Sequence, residues 1–416
     1  MNLEIGFGTS PQLVEIPDEN LAGILYPNDV EISIKGVELV LKSLQSPIDS
    51  PRLTEIVKPD EKVVIITSDI TRPVPSYKII PAILDELWLA GTKPEDVTVV
   101  FGLGCHRVQT PEEMKKLVGE EVYNTVRCID GDPEDFVHMG VTKMGTPVDI
   151  TRIVAKADRR IGVGNIEYHY FAGYSGGAKA IMPGVSTRDA IQNNHSRMVL
   201  PEAAAGRIDG NPVREDIEEA MKYCPLDFIV NVVLDEKKEI ICSVAGDVVK
   251  AHREGCKFLD KIYLKEIPQR ADIVIASQGG APKDLNLYQT QKALDNAKHA
   301  VKKGGIIILV GSCKEGLGEE VFEQWIEEAE TAQSMIVRIE KEFQLGGHKA
   351  AAIAMVLEDS DIYLVSEMDD GLVEEVFLTP FSVVQEALDA AFVKLGKDAS
   401  VIVMPFGGST LPVAQR

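Results

Sequence analysis

Residues 271–312 read ADIVIASQGGAPKDLNLYQTQKALDNAKHAVKKGGIIILVGS. A short β-branched run (ADIVIAS) passes through a glycine loop (QGGAPKDLN) into an amphipathic segment (YQTQKALDNAKHAVKKG) and then a second apolar run (IIILVGS). Strand, turn, helix and strand in that order make a βαβ unit, whose two strands run parallel because the connection is long enough for a crossover. Downstream, an amphipathic segment at 319–330, a strand at 361–365, a helix at 380–395 and a strand at 401–404 extend the alternation into a doubly wound, Rossmann-like domain of about 140 residues. The same pattern occurs upstream. Apolar runs at 63–67, 97–101, 160–163 and 228–233 are short and bounded by turn residues, and residues 75–90 (PSYKIIPAILDELWLA) read as a helix stopped by Gly91. A first βαβ unit therefore spans about residues 61–101. The fold class is α/β, in two domains: 1–265 and 266–404, with the boundary in the mixed, charged stretch near 256–268. The tail 405–416 (PFGGSTLPVAQR) is expected to return to the N-terminal domain, and the active site to lie in the cleft between the domains.

The chain has 416 residues, 45% hydrophobic and 26% charged, which is enough for two cores. Its 43 Lys and Arg against 65 Asp and Glu give a net charge of −22, which argues against non-specific binding to nucleic acid or anionic membrane. An anionic ligand has to find a local positive pocket. Six cysteines (Cys105, Cys128, Cys224, Cys242, Cys256, Cys313) are scattered without a CxxC pair, as in a reduced compartment. The start MNLEIGFGTSPQLVEIPDEN lacks a basic stretch followed by an apolar run, and no stretch reaches the roughly 18 apolar residues of a membrane span. The expected location is cytoplasmic.

In open α/β sheets ligands sit beyond the carboxyl ends of the strands, so the residues that follow each apolar run carry the functional expectation. After VVIIT comes Ser68-Asp69-Ile70-Thr71-Arg72-Pro73, where Arg72 suits a carboxylate or phosphate; the same segment also reads as a strand-end turn with a solvated Arg. After VTVVFGLG come Cys105, His106 and Arg107. His106 is a proton carrier by type, although a lone strand-end His is more often a capping residue, and Cys105 reads more readily as a small buried hydrophobe than as a nucleophile. Residues 164–196, GNIEYHYFAGYSGGAKAIMPGVSTRDAIQNNHS, hold His169, the run Ser175-Gly176-Gly177-Ala178, Lys179 and His195. SGGAK is too short between its glycines for a Walker A loop, and a glycine-bracketed Lys is placed instead as a covalent or anion-binding amine. Neither histidine belongs to a zinc pattern, yet a single imidazole can bind a metal whose other ligands come from a cofactor. His138, His252, His299 and His348 read as structural or solvated. In the second domain Gln289 and Lys292 share one helical face at i and i+3 near a helix N-terminus, where an anion is favoured; a polar first turn facing water is the alternative.

These segments resemble the nickel-dependent lactate racemase family, whose pattern runs DxTRPxP, GxHR, NIExHYFAGxSGGxKxxxPG and a downstream NHS. Here they are DITRPVP (69–75), GCHR (104–107), NIEYHYFAGYSGGAKAIMPG (165–184) and NHS (194–196), with YQTQK (288–292) in the second half. The resemblance implies an isomerase, a racemase or epimerase that inverts the α-carbon of a 2-hydroxyacid by reversible hydride transfer. The implied cofactor is nickel in a pyridinium-3-thioamide-5-thiocarboxylic acid mononucleotide covalently attached to Lys179. The nickel is held by two sulfurs and a ring carbon, with His195 as fourth ligand. Asp69, Ile70, Thr71 and Arg72 are implied as cofactor contacts, and Arg72, Tyr288, Gln289 and Lys292 as substrate contacts. His106 and His169 are implied as acid/base partners on opposite sides of the substrate, and cofactor-biosynthesis proteins as partners in maturation.

Hydride chemistry explains these residue types. The Cα–H of a 2-hydroxyacid is a poor acid, whereas loss of hydride while a His takes the hydroxyl proton yields a ketoacid with no charge built up on carbon. Lactate, malate, 2-hydroxyglutarate and sugar acids all carry the reacting group. The sequence departs from the family pattern at Ala178, often Arg, at Cys105, often Thr, and at Tyr168, often Pro. A dehydrogenase using free nicotinamide dinucleotide is the enzyme alternative, disfavoured because no GxGxxG follows the first strand. A non-catalytic cofactor- or ligand-binding protein is the other.

Overall fold

The computed structural model describes residues 1–72 and 74–415; Pro73 of the DITRPVP motif and Arg416 of the tail lie outside the described residues. Two six-stranded sheets are built from β1 (Leu21–Ile24), β2 (Val63–Ser68), β3 (Val97–Gly102), β4 (Arg127–Asp130), β5 (Arg159–Asn165), β6 (Phe228–Leu234), β7 (Ile240–Gly246), β8 (Ala271–Ser277), β9 (Val301–Val310), β10 (Ser360–Val365), β11 (Thr379–Phe381) and β12 (Val401–Met404). The chain divides into two compact units, one of residues 30–261 and one of residues 1–29 with 262–416.

In the 30–261 unit the strand order is β7-β6-β5-β2-β3-β4, parallel except for β7 at the edge. The chain runs outward from β2 through β3 to β4, then returns to the other side of β2 with β5. That reversal opens a crevice at the carboxyl ends of β2 and β5. The sheet is buried on both faces, which is why its strands read as continuous apolar runs rather than alternating ones. Helix Ser76–Leu89 covers one face with Ile79, Ile80, Ile83 and Leu87, all at helical spacing and all without exposed surface. Each such side chain stabilises the fold by about 1.5–3 kcal/mol relative to exposure.

In the other unit the order is β11-β10-β9-β8-β12-β1, parallel throughout. Its core joins Ile273, Ile275, Ile306, Ile308, Val401 and Val403 to Leu388 and Ala391 of helix Val384–Leu395. The α/β class and the doubly wound C-terminal sheet agree with the sequence reading. The division of the chain departs from it. Residues 1–29 fold with the C-terminal sheet, because β1 extends it beside β12 and because Ile5, Val14 and Ile16 are buried in its core. The tail strand Leu411–Ala414 pairs with Leu264–Ile267 inside that same unit instead of returning to the N-terminal domain. The expected helix through residue 304 stops at Ala297, and β9 starts at Val301, where a register shift and Gly304 at φ +76° let the lysine-rich stretch join the ladder. Among the described residues no helix is long and apolar enough to cross a membrane.

Candidate active site

The turn after β2 and the loop after β3 are tied together by side chains. Asp69, 2% exposed, pairs through Oδ2 with Nδ1 of His106 and accepts through Oδ1 from the Thr71 hydroxyl at 2.7 Å and the Thr71 amide at 3.1 Å. The Ile70 amide donates to Gln109 Oε1 at 2.8 Å, and Gln109 is in turn held by Asp130 through its amide nitrogen at 2.9 Å and its backbone N–H at 2.8 Å. Burial opposes charge on Asp69, but the His106 hydrogen bond and charge, with the two Thr71 bonds, outweigh it and hold the carboxyl below its ordinary value. An ionised Asp69 fixes the proton of neutral His106 on Nδ1 and leaves the Nε2 lone pair as the basic nitrogen. Arg107, beside it, is exposed and taken up by Glu113 at 2.6 and 2.9 Å. Burial pushes the Cys105 thiol up, so it stays protonated.

The loop after β5 carries the rest. Tyr168–His169 and Gly173–Tyr174 form a two-residue-deep hairpin, followed by a tight turn at Gly177–Ala180. Gly176 and Gly177 have φ of +74° and +60°; a Cβ on the first would stand 2.8 Å from Asn231 Oδ1 and on the second 2.9 Å from the His252 ring. At both positions only glycine suits the backbone, and the turn lets the Gly177 amide donate to Asn231 at 2.7 Å. The turn thereby presents Lys179.

Three of the expected residues meet at one ring. Around Phe171 stand His169, edge-on with centroids 4.5 Å apart, His195, edge-on at 4.9 Å, and the Lys179 ammonium nitrogen at 5.9 Å from the centroid. His195 ends helix Arg188–His195, is 5% exposed, and its Nδ1 lies 2.9 Å from Asn194 Oδ1. Asn194 is itself held by Asp216 at 2.8 Å and by the Val213 carbonyl at 3.1 Å. Burial, then the charges of Arg214 and Arg72, push the Lys179 amine well below its ordinary value. Burial, then Lys179, Arg72, His195 and Arg214, do the same to His169, whose Nδ1 accepts from the Ala172 amide at 3.3 Å. Arg72, exposed at the end of the β2 turn, thus acts electrostatically on both. The two loops also touch directly, since the Gly104 amide donates to the Gly184 carbonyl and the Gly184 amide to the Lys179 carbonyl, both at 3.1 Å.

Tyr288, Gln289 and Lys292 belong to the other unit, at the start of helix Leu287–Ala297, where Asn286 caps the Gln289 amide at 3.0 Å. Gln289 and Lys292 are exposed on one face. The Tyr288 ring lies under the Lys349 ammonium at 3.8 Å, and its carbonyl accepts from the same group at 2.6 Å. Sequence reasoning missed Lys349, Gln109, Asp260 and Arg214. Arg214 has no exposed surface, donates to the Ala172 carbonyl at 3.1 Å and to the Tyr174 carbonyl, and keeps one buried nitrogen unbonded. A fully buried Arg within a polar helix leaves no periodic trace; its signal lies only in the fold. His138, His252, His299 and His348 lie outside this cluster, with His138 on Asp149 at 2.6 Å and His252 on the Ser175 carbonyl at 2.8 Å.

A model of the lactate racemase N-terminal domain matches residues 7–206, and one of the lactate racemase C-terminal domain matches residues 267–411. The lactate racemase of Thermoanaerobacterium thermosaccharolyticum is 33% identical over 99% of each chain, and that of Lactiplantibacillus plantarum 34% identical over 94% of this chain and 95% of its own. The chain belongs to the lactate racemase family. It is therefore an enzyme of the isomerase class, and the family covers both units. The structure of the lactate racemase apoprotein from T. thermosaccharolyticum superposes with a TM-score of 0.89 over 100% of both chains. A crystal structure of a Thermotoga maritima protein, 19% identical, matches with a TM-score of 0.62 over 91% of this chain and 97% of that one, which shows the shared fold.

Proposed function

We propose that this chain is a racemase or epimerase inverting the α-carbon of a 2-hydroxyacid, lactate or a related acid such as malate, 2-hydroxyglutarate or a sugar acid. In this reading it carries a nickel-pincer nucleotide on Lys179 and uses His106 and His169 as acid/base partners. The gathering of Lys179, His169 and His195 around Phe171, beside the Asp69–His106 pair, is the observation that carries the reading.

The residues fit such a group. A Lys179 amine pushed well below its ordinary value by burial gives up its proton more readily and so offers the lone pair that an amide-type bond requires. Asn194 fixes the His195 ring through Nδ1, as the outer partner of a metal-bound imidazole does, so Nε2 is the ligand nitrogen. In this reading His195 would be the protein's ligand to the nickel and the nucleotide would complete the set. When bound, the nucleotide supplies a hydride acceptor for the substrate Cα–H.

The chain's own residues do the remaining work. His106, whose Nδ1 is held by Asp69, presents Nε2 to take the hydroxyl proton as the Cα–H leaves with its electron pair, and the substrate becomes a ketoacid of unchanged charge. Return of hydride to the opposite carbonyl face requires a proton donor on that side, the role of His169. Burial depresses His169 most, and attaching Lys179 in an amide-type link would remove the largest of the positive charges that add to it. In this reading Arg72 on the one unit and Tyr288, Gln289 and Lys292 on the other are substrate contacts, residue types suited to a carboxylate. Maturation needs the proteins that build the cofactor, and six free cysteines accord with a cytoplasmic setting.

The decisive experiment is intact mass and nickel content of the chain produced together with the cofactor-building proteins, for the parent and Lys179→Ala. A lysine-dependent mass increase with bound nickel is expected, followed by loss of optical purity when pure 2-hydroxyacid enantiomers are added. A folded parent with neither adduct nor nickel would overturn the reading and favour a dehydrogenase using free dinucleotide.

A further inference from the structure

We propose that Asp260 is a positioning residue for His169, acting through the hydroxyls of Tyr168 and Tyr174. The inference rests on the reading of His169 as an acid/base group. In the hairpin Tyr168 is paired with Tyr174 and His169 with Gly173, so strand alternation sends both tyrosines to one face and His169 to the other. On the tyrosine face, the Tyr168 hydroxyl donates to Asp260 Oδ1 at 2.8 Å and the Tyr174 hydroxyl to Oδ1 at 2.8 Å and Oδ2 at 2.9 Å, with the two rings 5.4 Å apart. One carboxylate therefore clamps both strands. On the opposite face His169 meets Phe171, which also faces Lys179 and His195.

The clamp belongs to a larger grip. Asp260 lies eight residues beyond His252 on helix Lys250–Tyr263, with Cys256 between them, so the three share a face at i, i+4 and i+8. His252 Nε2 donates to the Ser175 carbonyl at 2.8 Å, just where the hairpin runs on toward Lys179. Arg214 secures the second strand independently through the Ala172 and Tyr174 carbonyls. Backbone bonds to Arg214 fix where Gly173–Tyr174 lies, and the phenol bonds to Asp260 fix the tilt of the hairpin about that strand. The tilt sets the His169 ring. Hydrogen bonds to a charged acceptor are strong enough to hold such a tilt, and a displacement of about 1 Å at a proton donor costs up to roughly 10²-fold in rate.

The test uses the full chain, loaded with cofactor by the maturation proteins, as parent, Tyr168→Phe, Asp260→Asn, the double variant and His169→Gln. Histidine-ring nitrogen spectra of the unloaded chains run alongside. Tyr168→Phe and Asp260→Asn should keep nickel and the Lys179 adduct and hold KM within about twofold, while kcat falls about threefold and about tenfold respectively. The double variant should match Asp260→Asn, because both substitutions break one connection. The His169 resonance, assigned by its loss in His169→Gln, should shift in both single variants while that of His106 stays. Parent-like kcat with an unmoved His169 resonance overturns the proposal, and so do losses that multiply in the double variant. A His169→Gln enzyme with parent-like kcat overturns the acid/base reading itself, and this proposal with it. Should Asp260→Asn fail to fold, Tyr168→Phe decides, since it removes a single hydroxyl.

Discussion

Both six-stranded sheets are doubly wound, one in the order β7-β6-β5-β2-β3-β4 and the other β11-β10-β9-β8-β12-β1, and they use the crevice at the reversal of strand order differently. In the 30–261 unit the reversal lies between β2 and β5, and the loops there place Asp69, His106, His169, Lys179 and His195. In the other unit the reversal lies between β8 and β12, and several buried polar groups there bond backbone, while Gln289 and Lys292 stay exposed. Ser277 donates to the Gly6 carbonyl at 2.6 Å, Gln278 to the Gln289 carbonyl at 3.0 Å and Asn296 to the Gly407 carbonyl at 2.7 Å, while Asp284 accepts from the Gly8 amide at 2.8 Å and the Ser312 amide at 3.1 Å. Topology thus provides a crevice in both cases. Whether it reacts depends on whether the side chains there face one another in unusual charge states or close the ends of the main chain.

The Asp69–His106 pair gives the sharpest way to break this contrast. Asp69→Asn keeps the size and a hydrogen bond but donates to Nδ1, which moves the His106 proton to Nε2 and removes the basic lone pair. In loaded enzyme kcat is expected to fall about 10³-fold with nickel and adduct retained. A loss below about tenfold would reduce Asp69 to the kind of loop support that Asp284 provides.

Asp284 sets the opposite pole. Asp284→Ala strips the acceptor from two backbone amides, one of them holding the N-terminal segment to its sheet, and each orphaned donor costs about 1–3 kcal/mol. Urea unfolding should show a loss of about 3 kcal/mol while Lys179 loading in the surviving folded fraction is unchanged. A stable variant that fails to load would mean that this second crevice takes part in maturation.

What the sequence revealed follows the same division. Strands β2, β3, β5 and β6 stood out because a strand buried on both faces has to be a continuous apolar run, and helix Ser76–Leu89 because its apolar residues recur every turn. Leu21–Ile24 gave no such signal: it joins an edge beside β12, some 380 residues later, and pairing over that distance leaves no local pattern. The tail misled for the same reason, its partner Leu264–Ile267 being visible only once the sheet is formed. At the site, residue type and motif spacing marked His106, His169, Lys179 and His195. They could not mark Arg214 or Asp260, which act from helices of ordinary polar composition through burial and through contacts with the hairpin.

Lys179 offers the smallest effect and a clean sign. In the unfolded chain its amine is protonated up to about pH 10.4, whereas in the folded chain burial, then the charges of Arg214 and Arg72, push it well below that. Unfolding therefore takes up a proton, and stability contributed through this group rises with pH, the penalty being full at low pH and gone above the unfolded value. Lys179→Met should accordingly stabilise the unloaded chain by about 1 kcal/mol at neutral pH, with the gain fading above about pH 10. Burial depresses His169 most and Lys179 next, so the same substitution should raise the pKa of that ring part of the way back in a ring-nitrogen titration. A variant less stable than the parent at every pH would mean that Lys179 packs as structure, as the polar groups of the second crevice do, and that its unusual charge state is no mark of a site held ready for a covalent bond.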